Sequence, residues 1–201
     1  MSLKFGTSGL RGLVAEMPPD TVAAYTAAFL AACDHGCALC LGRDLRPSSP
    51  RIAGDVSAAA RAMGVRVIDC GALPTPALAL AAARAGASAI MVTGSHIPAD
   101  RNGLKFYTPA GEITKIDETA ILRQMAAPRP APASVSGALD QDSAAAERFT
   151  ERYVQAFGPQ ALSDRRIGLY AHSAVGRDCL ADILTGMGAE VIRLGWSDTF
   201  I

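Results

Sequence analysis

A polar segment near the middle of the chain carries the residues whose types are best suited to chemistry. Ser95 and His96 follow the apolar run 88–92, and Lys105 lies a few residues further on. A serine at the end of a buried strand can project its hydroxyl into a cleft, and a nearby lysine can neutralise developing charge or transfer a proton. A surface turn around Asn102-Gly103 with a solvated histidine is the other interpretation of the same residues.

Two familiar classes of enzyme do not fit this serine. A nucleophile elbow has the pattern Gly-x-Ser-x-Gly, whereas Ser95 lies in Thr-Gly-Ser-His-Ile and has no glycine two residues later. The phosphate-binding sequence Gly-x-x-x-x-Gly-Lys-Ser/Thr does not occur in the chain. A serine hydrolase and a nucleotide triphosphatase are therefore disfavoured.

A glycine-rich segment near the N-terminus could hold an anion. Residues 6–12 contain three glycines together with Thr7, Ser8 and Arg11. Backbone amides at glycines can approach an anion closely, and a guanidinium can bind two phosphate oxygens at once. We interpret this segment as a loop at the end of a strand.

The segment 42–50 is a third candidate, and it has a structural alternative. Arg43 and Asp44 could contribute to a site, or they could form an ion pair of purely structural importance. Ser48 or Ser49 is a plausible N-cap for the helix that follows.

Helices and strands alternate along the first 130 residues. The apolar patterns predict helices at 20–32, 50–63, 76–84 and 117–125, and strands at 37–41, 65–69 and 88–92. A β-hairpin is predicted at 104–113, so one strand should join the sheet antiparallel. The expected fold is a three-layer α/β/α domain with a mixed sheet. Ligands of such sheets bind at the carboxyl ends of the strands, where the three candidate segments would converge.

A proline-rich stretch separates this domain from a second α/β pattern. We assign residues 1–130 to the first domain, 131–142 to a linker, and 143–201 to the incomplete start of a second, similar domain. The second pattern predicts helices at 143–157 and 176–187 and strands at 166–170 and 189–194. Two strands and two helices bury little apolar surface, so we expect the front part of a longer protein.

Composition excludes several partners. The chain has 201 residues, 50% of them hydrophobic, and a formal net charge of +0 with scattered Lys and Arg, which disfavours nucleic acid. No signal peptide or membrane-spanning run is evident, so we expect a cytoplasmic protein without a membrane partner. Cys33, Cys37 and Cys40 surround His35, but a second ligand pair is missing, so we expect small buried thiols and no zinc site.

The order and spacing of the motifs resemble the α-D-phosphohexomutase family, which includes phosphomannomutases and phosphoglucomutases. The matching segments are FGTSGLRG (5–12), GRD (42–44), PTP (74–76), TGSH (93–96) and NGLK (102–105). HSAVG (172–176) and GAEVI (188–192) look like the opening of the family's second domain.

This resemblance implies a reaction and a role for each site residue. Ser95 would be a phosphoserine that passes its phosphoryl group to a hexose phosphate, so that hexose 1-phosphate and hexose 6-phosphate interconvert through a hexose bisphosphate. Lys105 would transfer protons, His96 would flank the nucleophile, and Arg11 would lie near the transferred group. Thr7, Ser8, Arg11 and Arg43 would bind substrate. Mg²⁺ would be held partly by the phosphate on Ser95.

The sequence also departs from the family's pattern. Ile97 stands where many members have Asn, and the Asp-x-Asp-x-Asp-Arg loop that supplies the other magnesium ligands does not occur. We therefore expect a truncated chain that is inactive alone. The hexose and the choice between monomer and dimer stay open. A non-catalytic module that binds sugar phosphates is the alternative.

Overall fold

The first part of the chain is built on one mixed β-sheet. The computed structural model describes residues 3–6, 9–128 and 131–201. The strands of this sheet are β1 (Lys4–Phe5), β2 (Gly9–Leu13), β3 (Leu39–Arg43), β4 (Val67–Ala72), β5 (Ser88–Val92), β6 (Arg101–Thr108), β7 (Gly111–Glu112) and β8 (Leu139–Gln141). Their order is β1-β2-β6-β5-β3-β4-β8, with β7 paired to β6. Strands β5, β3, β4 and β8 run parallel, and β6 joins β5 antiparallel. The predicted mixed sheet is confirmed.

Helices cover both faces of the sheet. They are α1 (Pro19–Ala32), α2 (Ser49–Ala62), α3 (Thr75–Ala85), α4 (Lys115–Met125), α5 (Ala145–Phe157) and α6 (Arg177–Gly186). One buried cluster joins Phe29 of α1 and Ile52 of α2 to Phe106 of β6. A second cluster joins Leu78 of α3 to Met91 of β5 on the opposite face. The domain therefore has the predicted three layers.

Local chemistry sets several helix ends. Helix α4 begins with a capping box, in which the Thr114 hydroxyl and the Asp117 carboxylate bond each other's backbone N–H. Helix α3 ends at Gly86, whose φ of 58° is left-handed and carries no penalty for glycine.

The glycine-rich N-terminal segment is not the loop that the sequence suggests. Gly9–Leu13 form strand β2, which pairs antiparallel with both β1 and β6. A Cβ atom on Gly9 would lie 2.1 Å from the Leu104 carbonyl oxygen, so glycine permits the close approach of β2 to β6. The interpretation of residues 9–12 as a loop is therefore wrong. Thr7 and Ser8 lie outside the described residues.

Part of the predicted linker adds a strand to the first sheet. Leu139–Gln141 form β8, which pairs parallel with β4. The Asp140 carboxylate accepts a hydrogen bond from Arg66 Nε at 2.6 Å, next to that pairing. Residues 139–141 of the segment that is predicted to be a linker therefore belong to the first sheet.

The last part of the chain contains a small parallel sheet, formed by β9 (Arg166–His172) and β10 (Glu190–Trp196). Phe149 of α5 and Ile183 of α6 are buried in the same cluster as Leu78 of α3. The two parts therefore share a core. Within the residues that the structure describes, no helix is long and apolar enough to cross a membrane.

Candidate active site

Ser95 lies in the loop between β5 and β6, at the carboxyl end of the parallel strands. Its side chain is exposed, and its Oγ lies 3.4 Å from His96 Nδ1. Its φ of 52° is left-handed, a conformation that costs a non-glycine residue about 1–3 kcal/mol. Such strain persists only where the surroundings impose it.

Asp44, directly after β3, is the first part of those surroundings. Its Oδ1 accepts hydrogen bonds from the Arg46 backbone N–H (3.0 Å) and the Ser49 hydroxyl (2.5 Å). Its Oδ2 accepts from the Thr93 hydroxyl (2.9 Å) and the Gly94 N–H (3.0 Å). One nearly buried carboxylate thus joins the loop after β3 to the loop that bears Ser95.

Arg46 is the second part, and no motif in the sequence singles it out. The residue is only 2% exposed, and its Nε lies 3.3 Å from Asp44 Oδ2. Its two Nη atoms donate to four backbone carbonyl oxygens, those of Ser95 (3.3 Å), Ile97 (2.6 Å), Pro98 (2.8 Å) and Arg101 (3.1 Å). The carbonyls span the whole turn that presents Ser95.

Asn102 fixes the end of the loop. Its amide Nδ2 donates to the hydroxyls of Ser48 (2.8 Å) and Ser49 (2.9 Å) at the start of α2, and its Oδ1 accepts from the Gly103 N–H (2.8 Å). Asn102 and Gly103 are buried in β6, so the surface-turn interpretation is wrong. Ser48 precedes α2 without a side-chain capping bond. The serines therefore hold Asn102 and Asp44 in place.

Arg43 lies at the same carboxyl edge of the sheet, but its ion-pair partner is a residue of β4. Its Nη1 lies 3.5 Å from Oδ1 of Asp69, the third residue of β4, and both side chains are about one-third exposed. The suggested ion pair between Arg43 and Asp44 is therefore wrong. Asp44 binds Arg46 instead.

Lys105 is held by the hairpin of β6 and β7. Its Nζ lies 3.2 Å from Glu112 Oε1, and that oxygen also accepts a hydrogen bond from the Tyr107 hydroxyl at 3.0 Å. Burial, followed by this hydrogen bond, raises the pKa of Tyr107, so the phenol stays protonated. The ion-pair partner of Lys105 is thus Glu112 of the hairpin, whereas the Ser95 hydroxyl lies beside His96.

Arg11 lies in β2, opposite Gly103 in the register. The Thr93 N–H donates to the Gly103 carbonyl at 3.0 Å, so Arg11 lies level with the start of the Ser95 loop, two strands away. A Cβ atom on Gly103 would lie 3.2 Å from Arg11 Cγ, which shows that the arginine stem passes over this glycine.

A cleft separates the Ser95 loop from the second part of the chain. It has a volume of about 490 Å³ and is lined by Arg46, Ser95, His96, Ile97, Pro98, Ala99, His172, Ser173, Ala174, Phe200 and Ile201. A second cleft of about 320 Å³ shares Ser95, His96 and Ser173 and extends to Pro74 and Thr75. The motif at 172–176 and the motif at 74–76 therefore lie beside Ser95.

His172, at the end of β9, resembles Ser95 in its backbone. Its φ is 56°, and its carbonyl accepts a hydrogen bond at 2.9 Å from Arg177 Nη1. Arg177 is buried, lies 4.9 Å from the Trp196 ring centroid, and pairs with Asp198 at 3.2 Å. Two strained residues, each bonded by a buried arginine, therefore line one cleft. The sequence marks His172 through its motif and gives no signal for Arg177.

The described residues do not assemble a metal site. In residues 3–6, 9–128 and 131–201 no three His, Cys, Asp or Glu side chains cluster around a point that could hold an ion. Both Asp44 oxygens are already bonded to Arg46, Ser49, Thr93 and Gly94. The expected magnesium ion therefore finds no complete ligand set in this part of the chain.

The cysteines are free thiols. Cys40 is buried as expected, Cys33 is only half-buried, and Cys37 is exposed, so the expectation of burial is wrong for Cys37. The Cys37 thiol, on the loop before β3, donates a hydrogen bond to the Ala85 carbonyl at 3.2 Å.

Comparisons with known proteins identify the same architecture. A family model described as phosphoglucomutase/phosphomannomutase, alpha/beta/alpha domain I, matches residues 2–131. The phosphomannomutase of Sinorhizobium fredii is 45% identical over all of this chain and 44% of its own length. The phosphomannomutase of Salmonella muenchen is 41% identical over 99% of this chain and 42% of its own length.

A solved structure agrees with this assignment. The phosphoglucomutase/phosphomannomutase family protein of Burkholderia thailandensis superposes with a TM-score of 0.75 at 26% identity, over 94% of this chain and 43% of that one. The chain thus spans less than half the length of these relatives. The matched model covers well over half of the chain, and the chain belongs to the phosphoglucomutase/phosphomannomutase family, a family of sugar-phosphate mutases.

Proposed function

We propose that this chain carries the phosphoserine part of a hexose phosphate mutase of the phosphomannomutase type. Such an enzyme interconverts hexose 1-phosphate and hexose 6-phosphate through a hexose bisphosphate. The observation that carries the proposal is the exposed hydroxyl of Ser95, presented to a cleft by a strained loop that Asp44 and Arg46 hold. Two relatives named phosphomannomutase favour mannose phosphates over other hexose phosphates.

The proposed step exchanges one P–O bond for another. The Ser95 Oγ forms a bond to phosphorus, the bond from phosphorus to a sugar oxygen of the bisphosphate breaks, and the serine proton passes to that oxygen. The reverse step returns a phosphoryl group to the other position of the sugar. Transfer of this kind depends mainly on positioning and on stabilising negative charge.

The chain's own cations have proposed parts in this step. Arg11 lies level with the start of the Ser95 loop and would interact with the phosphoryl oxygens. Lys105, on the same strand pair, would exchange its bond to Glu112 for a proton-transfer role when substrate binds. His96, whose Nδ1 lies beside the serine hydroxyl, would orient that hydroxyl.

Magnesium is proposed as the cofactor of the whole enzyme. A phosphate on Ser95 would give the ion one ligand, and the ion would supply charge neutralisation. The described residues form no complete site for it, so further ligands would have to come from other parts of a mutase.

Phosphorylation of Ser95 tests the proposal. The purified chain is incubated with mannose 1,6-bisphosphate, and intact mass with peptide mapping should show one added phosphoryl group on Ser95. Ser95→Ala should take up none, whereas Ser163→Ala, which removes an exposed serine far along the chain, should label like wild type. A label on another residue would contradict the proposal. Binding of hexose phosphate without any label would favour the non-catalytic module.

Turnover is a separate test. We predict that the 201-residue chain converts mannose 1-phosphate to mannose 6-phosphate at least about 100-fold more slowly than a full-length relative, because misplaced or missing groups cost that much. A coupled assay with added Mg²⁺ measures the rate. A rate equal to that of the relative would show that the chain needs no further groups.

A further inference from the structure

Arg46 has more partners than a structural ion pair requires. One acidic neighbour, Asp44, lies 3.3 Å from its Nε and would suffice to neutralise the charge. Both Nη atoms are instead used on four carbonyl oxygens of the loop 95–101. Burying a guanidinium is costly unless its donors are satisfied, so the loop and the arginine depend on each other.

The shape of the guanidinium matches this task. Its donors point in fixed directions within one plane. Nη1 donates to the carbonyls of Pro98 and Arg101, and Nη2 donates to those of Ser95 and Ile97. A lysine ammonium has a compact charge on a flexible stem and could not reach four carbonyls spread from Ser95 to Arg101. The planar group therefore defines the course of the loop, including the left-handed φ of Ser95.

The space around Arg46 is equally specific. A Cβ atom on Gly94 would lie 2.2 Å from Arg46 Nε and 2.3 Å from Cζ, so the guanidinium passes directly against the glycine backbone. The Phe200 ring lies on the arginine as well, with its centroid 4.8 Å from Cζ. Arg46 is thus held between the loop that it shapes and the wall of the cleft.

We infer that Arg46 is a positioning residue for phosphoryl transfer to Ser95, which acts by fixing the backbone of residues 95–101 and touches no substrate. The inference rests on the proposed function, because it assigns the loop geometry to a reaction at Ser95. It predicts that the rate of Ser95 phosphorylation depends on the guanidinium's shape and on the room beside Gly94, and not only on positive charge.

Two independent changes disturb Arg46 in different ways. Arg46→Lys keeps the positive charge but loses the planar guanidinium. Gly94→Ala keeps the arginine, but the new methyl group displaces the guanidinium. Arg51→Lys is the matched control, since the exposed Arg51 lies on α2, pairs with the half-buried Asp55 at 2.7 Å and also donates to a carbonyl, that of Met17 at 3.1 Å. Far-UV circular dichroism establishes that each variant is folded, and Gly94→Ala carries the test if Arg46→Lys does not fold.

The first readout is the rate of labelling by mannose 1,6-bisphosphate at several concentrations. We expect the maximal rate to fall about 100-fold in both variants, with the half-saturating concentration nearly unchanged, because misplacement of a nucleophile by about 1 Å costs that much. Arg51→Lys should label like wild type. Labelling at the wild-type rate in a folded Arg46→Lys or Gly94→Ala protein would overturn the inference.

The second readout does not depend on labelling. Hydrogen exchange of the peptides that cover 94–101 should become faster in both variants and stay unchanged in Arg51→Lys. If wild type takes up no phosphoryl group, the proposed function fails, and exchange alone decides whether Arg46 fixes the loop. Unchanged exchange in both variants would overturn the inference even if wild type is labelled.

Discussion

At the scale of single residues, the Asp44 carboxylate connects the Ser95 loop to the loop after β3. Four hydrogen bonds end on its two oxygens, and two of them come from the Ser95 loop. Asp44 is also the ion-pair partner that the described residues give the buried Arg46, at 3.3 Å from its Nε, so a neutral amide in its place would leave that guanidinium without this partner.

Asp44→Asn should therefore lower the free energy of unfolding by about 3–5 kcal/mol, the usual cost of breaking a buried ion pair from one side. Urea unfolding followed by circular dichroism measures the change. Asp55→Asn is the control, because its partner Arg51 is exposed and an i,i+4 pair of this kind on a helix should contribute less than about 1 kcal/mol. Equal losses in the two variants would show that Asp44 is no more important than a surface residue.

Cys33 gives the molecule a pH dependence. Burial, and then the nearby Asp117 carboxylate, raise the pKa of its thiol to about 11. The folded state therefore keeps a proton that the unfolded chain, with an ordinary thiol pKa of about 8.5, gives up earlier. This contribution to stability is present below about pH 8.5 and is lost as pH rises through about 11.

We predict that the urea midpoint falls between pH 8.5 and pH 10.5 and that Cys33→Ser reduces this fall, since serine does not titrate there. Cys37→Ser, which removes an exposed thiol, serves for comparison. A fall of the same size in Cys33→Ser and wild type would show that other groups produce it.

At the scale of secondary-structure elements, β8 depends on a close backbone approach. A Cβ atom on Gly137, just before β8, would lie 2.0 Å from the Val65 carbonyl oxygen. The Gly137 N–H donates to the Arg61 carbonyl at 2.8 Å, and the Gly137 carbonyl accepts from Arg61 Nε at 2.9 Å. An alanine at this position must push the segment away from the end of α2.

Gly137→Ala should therefore destabilise the protein by about 1–3 kcal/mol, in the range of overpacked sites, and speed hydrogen exchange along β4. Gly54→Ala is the matched change in α2, where a Cβ atom meets nothing within 4 Å. It should stabilise the protein by about 0.5–1 kcal/mol, because alanine favours a helix interior. Differential unfolding in urea compares the two variants, and a stable Gly137→Ala protein would contradict the clash.

The sequence predicts elements well where the apolar pattern is strong. Strand β5 has the predicted bounds, and each of the six helices was predicted within a few residues. Strands β2 and β8 were missed because glycines and prolines suggest loops, and only pairing with β6 and β4 makes these segments strands. Such pairing depends on residues far away in the sequence.

The same limit applies to the site. Ser95 and His96 could be predicted from their types and position, and they lie together at the cleft. The role of Arg46 could not, because its partners are backbone carbonyls about fifty positions away and carbonyls carry no sequence signal.

At the scale of the whole molecule, the two parts of the chain share apolar packing. Phe149 of α5 is buried with Leu78 of α3, and Gly176 at the start of α6 lies against Pro74, with 3.2 Å between the position of a Cβ on Gly176 and Pro74 Cβ. Trp196, the single tryptophan of the chain, lies in β10 and reports on the second part alone.

We predict that tryptophan fluorescence and far-UV circular dichroism give the same urea transition in wild type, because the shared core couples the two parts. Phe149→Ala should remove about 3–5 kcal/mol and shift the fluorescence transition to lower urea than the dichroism transition. Separate transitions already in wild type would show that the parts unfold independently.

The hydrogen bonds from Arg46 to the loop carbonyls also orient the peptide dipoles of the loop. In a trans peptide the N–H of one residue points opposite to the carbonyl of the residue before it, and the described residues contain no cis peptide bond. With the carbonyls of Ser95 and Pro98 turned inward to the arginine, the N–H groups of His96 and Ala99 point outward, and both residues line the cleft. A phosphate dianion on Ser95 would therefore meet the positive ends of these dipoles.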